Sequence, residues 1–477
     1  MMADAKRRNL PWLRVKGTKV INEQGDEVNL RGYCVGGWLN MENFIDGYPG
    51  QESWFRDDIA KVLGPGKGKF FFERLLDNFL NEDDIVHMAS LGATVLRVPM
   101  NYRHFEGDMK PFEYKNEGFK RVDWVVDACR RRGIYVIFDL HAAPGWQNPD
   151  WHSDNPANVA HLWTQKVFQD RTVGLWEEFA RRYRREPAVA GYNLLNEPVC
   201  PRGHGGLAAL YKRLAKAIRK IDNRHILFLE GNWFSTDFSE VESSVDRNTV
   251  FSTHNYAAPA FATGKYPGRH SGGGWTPAGV MFNRDKLQKI FNDSTAWARK
   301  HRVPNWVGEF GAVYHGNEND GCRTQVIRDQ VRMFNEEGNH WSIWTYKDIG
   351  VMGTAYVRTD SEWMKRTRKG RALKDAWGVD TWGQKKSVAM QAVTALIKEA
   401  GRTAKRAGLK PDLGLLDWQA TRLIGGMGLS QVLSRPYAEQ FRGMNEKAIA
   451  RMMESFAWRN CAVRDDLADA LAEGFAG

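Results

Sequence analysis

Two glutamates stand where apolar runs give way to polar residues: Glu197 in "GYNLLNEPVC" (191–200) and Glu309 in "VPNWVGEF" (303–310). A strand-forming run that ends on a carboxylate, with a proline just behind it, holds an acid out for use. Other groups close apolar runs in the same way: Arg97, His141, Asn196, His254 with Tyr256, and Trp344. Two facing carboxylates with a cation, histidines, an amide, a phenol and an indole suit the splitting of a glycosidic bond. One acid protonates the leaving oxygen while the other attacks the anomeric carbon. The two roles need separated pKa values, and a cation beside one acid separates them. Arg97 and Tyr256 near Glu309 would make it the nucleophile, with Glu197 as acid and then base. Asp139 in "VIFDLHA" and Glu230 in "ILFLEGNW" also close apolar runs. They read as structural carboxylates, buried with hydrogen-bond partners.

Such groups meet only if the runs that carry them are neighbours. Eight β-rich runs recur along the chain, at 28–38, 93–100, 134–142, 189–198, 225–233, 249–256, 303–310 and 340–348. Helical apolar spacing lies between many of them, at 72–92, 118–133, 173–185, 206–222 and 285–301. Alternation of this kind predicts α/β architecture, and eight repeats predict a parallel sheet closed into a (β/α)8 TIM barrel. In that fold the active site sits at the carboxyl ends of the strands, where these polar residues fall.

Residues 1–30 read as an N-terminal arm and small β-hairpin capping the barrel, with the catalytic barrel over 28–350. Residues 351–477 read as a long loop, the last barrel helix and a helical extension of the same domain. The helical patterns at 387–408 and 445–460 are the candidates for that last helix. The glycine-rich stretches "GPGKGKF" (64–70) and "HSGGGW" (270–275) lack the setting of a phosphate cradle and read as flexible surface loops.

The whole set resembles glycoside hydrolase family 5, the cellulase-type family of retaining β-glycosidases, over about residues 28–350. That family carries Arg, His, Asn-Glu-Pro, His-x-Tyr, a strand-seven Glu and a strand-eight Trp, which match Arg97, His141, Asn196-Glu197-Pro198, His254 with Tyr256, Glu309 and Trp344. The resemblance implies Glu197 as acid/base, Glu309 as nucleophile, Asn196 as a donor to the sugar 2-hydroxyl and Trp344 as the floor beneath the sugar. It implies retention through a covalent glycosyl-enzyme, with no metal and no cofactor.

"RGYCVGGWLNMEN" (31–43) is similar to the first-strand segment of the family's exo-glucanase and β-glucosidase branch. There Gly-Gly-Trp-Leu precedes a Glu that binds the terminal glucose, which makes Trp38 and Glu42 candidate substrate-binding residues. "HAAPGWQN" (141–148) resembles that branch's next loop, with Ala142 and Trp146 as departures. A pocket closed at one end favours removal of single sugars, so the expectation is an exo-acting β-glucosidase or exo-β-glucanase. Alternatives are an endo-β-glucanase or mannanase with an open cleft, a glycolipid or steryl β-glucosidase, and an inactive sugar-binding barrel. Trp146, Trp151 and Trp233 are candidates for the aglycone side, since indole stacks on sugar rings and apolar groups alike.

Bulk properties bound the rest. Of 477 residues, 42% are hydrophobic and 26% charged, as in globular chains. No run approaches the roughly 18 apolar residues of a spanning helix. No secretory signal is recognisable in "MMADAKRRNLPWLRV", and five scattered cysteines without metal-type spacing fit reduced thiols, so the expected location is cytoplasmic. The formal charge of +11 is concentrated late, at 363–377, 382–387 and 401–410. With no nucleic-acid motif, it reads as solvated helix faces, with peripheral contact to an anionic surface as the functional alternative and no nucleic-acid partner.

Overall fold

A computed structural model describes the chain apart from residues 1–9, 204, 243–244, 262–264, 273–275, 315–319 and 380–386. Within those gaps lie the start of the N-terminal arm, the end of "HSGGGW" and most of the basic stretch at 382–387. Eight strands form a closed parallel barrel in sequence order: β1 (Arg31–Cys34), β2 (Val95–Asn101), β3 (Tyr135–Ala142), β4 (Val189–Asn193), β5 (Ile226–Glu230), β6 (Thr249–His254), β7 (Asn305–Glu309) and β8 (His340–Ile343). Each of the eight predicted runs overlaps one. β2 and β3 pair from Val95 with Tyr135 to Asn101 with Ala142, the longest ladder of the barrel. Every residue of both strands is buried, as expected of strands covered on both faces.

The N-terminal hairpin, Leu13–Lys16 paired with Lys19–Asn22, packs Leu13 and Val20 into a cluster with Val95, Tyr135, Ile226, Phe228, Val250 and Trp306. These are early residues of their strands. The hairpin therefore seals the barrel end opposite the site.

Several helices differ from the periodicity reading. The pattern at 72–92 is two helices, Pro65–Phe79 and Glu82–Ser90, broken where Asn81 and Asp84 form a reciprocal capping box. "GPGKGKF" is not a flexible loop. Pro65 starts the first of these helices, and a Cβ on Gly68 would lie 2.9 Å from Ala60 Cα, so the glycine lets this helix cross Glu52–Leu63 closely. Between β5 and β6 the described residues form only a short turn at Asn232–Ser235, because no helical apolar spacing exists there.

Neither candidate for the last barrel helix fills that place. The C-terminal helix Asp465–Ala476 does: Phe475 stacks on Trp341 of β8 at 4.9 Å between centroids, and Gly474 sits against Val331 of the helix Gly321–Glu336. It was missed because it is short and rich in alanine. The chain between, including Glu362–Trp377, Val388–Ala407 and Leu413–Thr421, forms the helical extension. Its later part, Ser430–Glu439 through Phe456, shares the main core through Tyr437, Phe441, Ile449, Met452 and Phe456. Among the described residues no helix is long and apolar enough to cross a membrane.

Candidate active site

Arg97 points from β2 into the mouth of the barrel and is fully buried. Its Nη1 donates to Glu309 Oε1 at 2.6 Å and its Nη2 to Asn196 Oδ1 at 2.7 Å. The same Nη2 lies 3.1 Å from both Asp139 and Glu230. A buried guanidinium among three carboxylates is the arrangement that makes burying each of them tolerable. Burial lowers the Arg97 pKa, but Asp139, Glu309 and Glu230 outweigh it and hold the group well above its ordinary value. Asp139 and Glu230 have no solvent exposure, in keeping with structural carboxylates.

Glu309 closes β7, and its second oxygen accepts from the Tyr256 hydroxyl at 2.7 Å. Glu197 lies beyond the end of β4, and its backbone is left-handed, with φ 46°. A non-glycine residue there costs about 1–2 kcal/mol. The conformation is held by the Glu197 N–H donating to Glu230 Oε2 at 2.7 Å and by Asn148 Nδ2 donating to the Glu197 carbonyl at 3.0 Å. The strain turns the carboxylate over the barrel mouth, toward His254 Nδ1 (2.6 Å) and His152 Nε2 (3.1 Å). Burial pushes the Glu197 carboxyl up, but hydrogen bonds from His152 and His254 outweigh it and hold it well below the usual range. Burial disfavours the His254 and His152 imidazolium forms too, yet their acidic neighbours raise both pKa values.

Glu197, His254 and Glu309 bring one donor atom each within 4.8 Å of one another, a spacing a cation could bridge. The Glu197–His254 contact is already a hydrogen bond, at 2.6 Å.

The inner wall is formed by His141, Glu42 and Trp344. The His141 ring lies flat against Trp344, 5.1 Å between centroids and 9° between planes. Its Nδ1 faces Asp139 at 2.7 Å and its Nε2 faces Glu42 at 3.1 Å. Burial lowers the His141 pKa, yet Asp139 and Glu42 carry it up to about 10, so the ring is cationic near neutrality. A Cβ on Gly36 would lie 2.6 Å from the Trp344 indole, which explains one glycine of "VGGW".

A cavity of about 610 Å³ opens over these groups, and its lining includes Glu42, His141, Glu197, His254, Tyr256, Glu309 and Trp344. Arg97 and Asn196 stand behind its wall; Asn196 Nδ2 faces His141 Nε2 at 3.3 Å. Trp38 is a correction. Its indole is buried, donates to the Leu76 carbonyl at 3.0 Å and meets Trp124 edge-on, so it serves the helical layer behind the barrel. Trp146 is another: it is left-handed at φ 61° and turned toward His161, outside the lining. Trp151 and Trp233 do line the cavity, with residues that sequence reasoning missed: Asp150, His152, Phe234, Trp418 and Arg422. Trp418 and Arg422 come from the helical extension, where nothing in the local pattern marks them.

The family model described as Cellulase (glycosyl hydrolase family 5) matches residues 71–350. The chain belongs to glycoside hydrolase family 5. It is therefore a retaining glycoside hydrolase acting on β-glycosides. A relative named Beta-xylosidase, from Phanerodontia chrysosporium, is 39% identical over 97% of this chain and 98% of its own length. Endoglucanase C of Acetivibrio thermocellus is 25% identical over 58% of this chain and 87% of its own. Among solved structures, one titled endogalactoceramidase shares the fold with a TM-score of 0.52 at 19% identity, covering 71% of this chain and 75% of its own.

Proposed function

We propose that this family 5 hydrolase is exo-acting and removes one sugar from the non-reducing end of a β-glycoside. The observation that carries the reading is the inner wall. Glu42 and His141, a buried pair beside Trp344, line the cavity next to the two catalytic candidates, which supports a pocket closed at that end. Within it Glu309 attacks the anomeric carbon as the bond to the leaving oxygen breaks, and that oxygen takes a proton from Glu197. Water then attacks the same carbon, returns a proton to Glu197, leaves its hydroxyl on the sugar and frees Glu309. A glutamyl–glutamyl spacing near 5 Å suits this double displacement, whereas inversion needs about 6.5–9.5 Å. His254 and His152, in contact with the Glu197 carboxylate, position it for this exchange.

Two sugars compete for the pocket. The first-strand motif favours β-glucose. The relative that aligns across nearly the whole chain, extension included, is named for β-xylosides, and this supports testing xylose ahead of glucose. The test is release of free sugar from aryl β-xylosides and β-glucosides and from xylo-, cello- and laminari-oligosaccharides. The expected result is a single monosaccharide from the first turnover onward. A ladder of shorter oligosaccharides would overturn the exo reading in favour of an endo-glycanase.

A further inference from the structure

The outer half of the cavity is chemically unlike the inner half. Trp151, Trp233, Phe234 and Trp418 supply its surface, and Trp233 and Trp418 stack at 5.5 Å with 23° between their planes. The polar side chains among them are occupied with one another. Arg422 Nε and Nη2 make a fork onto the two oxygens of Asp150, at 2.6 and 2.9 Å, while the guanidinium lies 4.1 Å from the centre of the Trp418 ring. The Thr236 hydroxyl donates to the Trp233 carbonyl at 2.6 Å. A sugar bound here would lose water from its hydroxyls and find few partners for them, which disfavours it.

The aromatic wall is held at a cost. Trp233, Phe234 and Ser235 are three consecutive left-handed residues, at φ 54°, 58° and 60°. Ser235 donates to the Ser252 carbonyl at 2.5 Å, and Asn232 exchanges two hydrogen bonds with the Cys200 backbone at 2.8 and 2.9 Å. These contacts fix a turn that would otherwise relax and move Trp233 from its stack. The partner indole is delivered by the extension, from the helix Leu413–Thr421.

We propose that this wall is an aglycone site for apolar, hydroxyl-poor groups, aryl or alkyl, completed by Trp418 of the helical extension. The proposal rests on the exo reading, which seats the sugar on Trp344 and so directs the leaving group outward onto the Trp233–Trp418 pair. On cleavage the aglycone oxygen takes the Glu197 proton and the aglycone leaves as an alcohol or phenol.

The test uses non-hydrolysable S-glycosides, which separate binding from leaving-group reactivity. Methyl, octyl and naphthyl thioglycosides and a thio-linked disaccharide, all carrying whichever sugar the enzyme releases, are compared as competitive inhibitors of the wild type and of Trp418→Ala. The naphthyl or octyl compound should bind roughly tenfold or more tighter than the methyl one, with the disaccharide close to methyl. Trp418→Ala should erase most of that advantage. Preference for naphthyl identifies an aryl aglycone, and preference for octyl an alkyl one.

The proposal is overturned if the thio-disaccharide binds tightest, since the wall is then a second sugar subsite, or if all four bind alike. Should Trp418→Ala fail to fold, the wild-type series decides alone, and Trp418→Phe should keep part of the preference. Failure of the exo reading shows separately, as an oligosaccharide ladder in the product assay.

Discussion

At the floor of the pocket one guanidinium, Arg97, contacts Asp139, Glu230 and Glu309 at 2.6–3.1 Å, each of them almost or fully out of solvent. At its outer wall two indoles from segments 185 residues apart, Trp233 and Trp418, stack with Trp233 39% exposed. The floor is fixed by charge and by strand ends. The wall is fixed by a strained turn and by the docking of the extension. Groups that must hold reacting atoms within tenths of an ångström sit on the rigid sheet, and groups that select a leaving group sit where sequence can vary without disturbing the barrel.

That contrast orders the expected effects of substitution. Glu309→Gln should lower kcat by about four orders of magnitude or more on every substrate, since an amide oxygen there cannot form the glycosyl ester. Single-turnover assays on an activated aryl glycoside measure it. Glu197→Ala should cost about 10²–10⁴-fold on substrates whose leaving group needs a proton, and far less on dinitrophenyl glycosides. A uniform loss across leaving groups would contradict the acid role.

A third test concerns stability at the floor. His141 has an ordinary pKa of 6.5 and is carried up to about 10 when folded, where Asp139 and Glu42 outweigh burial. The folded chain thus holds a proton that the unfolded chain lacks between those values. The stabilisation is complete below about pH 6.5 and is lost as pH rises toward about 10, amounting to a few kcal/mol. Urea midpoints across this range should fall in the wild type and fall less in His141→Gln. The smallest effect belongs to the wall. Asp150→Asn weakens the fork between the buried Asp150 and the mostly buried Arg422 and should cost about 1–2 kcal/mol in stability. It should raise KM for apolar glycosides a few-fold, with little change in kcat.

Legibility follows the same division. Arg97, His141, Glu197, His254, Glu309 and Trp344 were readable because each closes a periodic apolar run, and a barrel brings all such ends to one mouth. His152 was not, because it sits in an irregular loop after β3 and gains its meaning only from the 3.1 Å approach to Glu197. Trp418 and Arg422 lie far beyond the last barrel strand, on helices whose periodicity says nothing of where they dock. Trp38 misled for the opposite reason. Its motif sits beside the site in sequence, but the indole turns through the barrel wall to Leu76. The last barrel helix was displaced to the C-terminus because alanine-rich spacing is a weak signal and two stronger helical patterns precede it.

The most direct test of the two-glutamate account is to trap the enzyme with an activated 2-deoxy-2-fluoro glycoside of the released sugar and map the label by peptide mass spectrometry. Attachment of one sugar to the peptide carrying Glu309, reversible as turnover resumes, is the predicted result. A label on Glu197, or hydrolysis that yields the inverted anomer with no adduct, would contradict it.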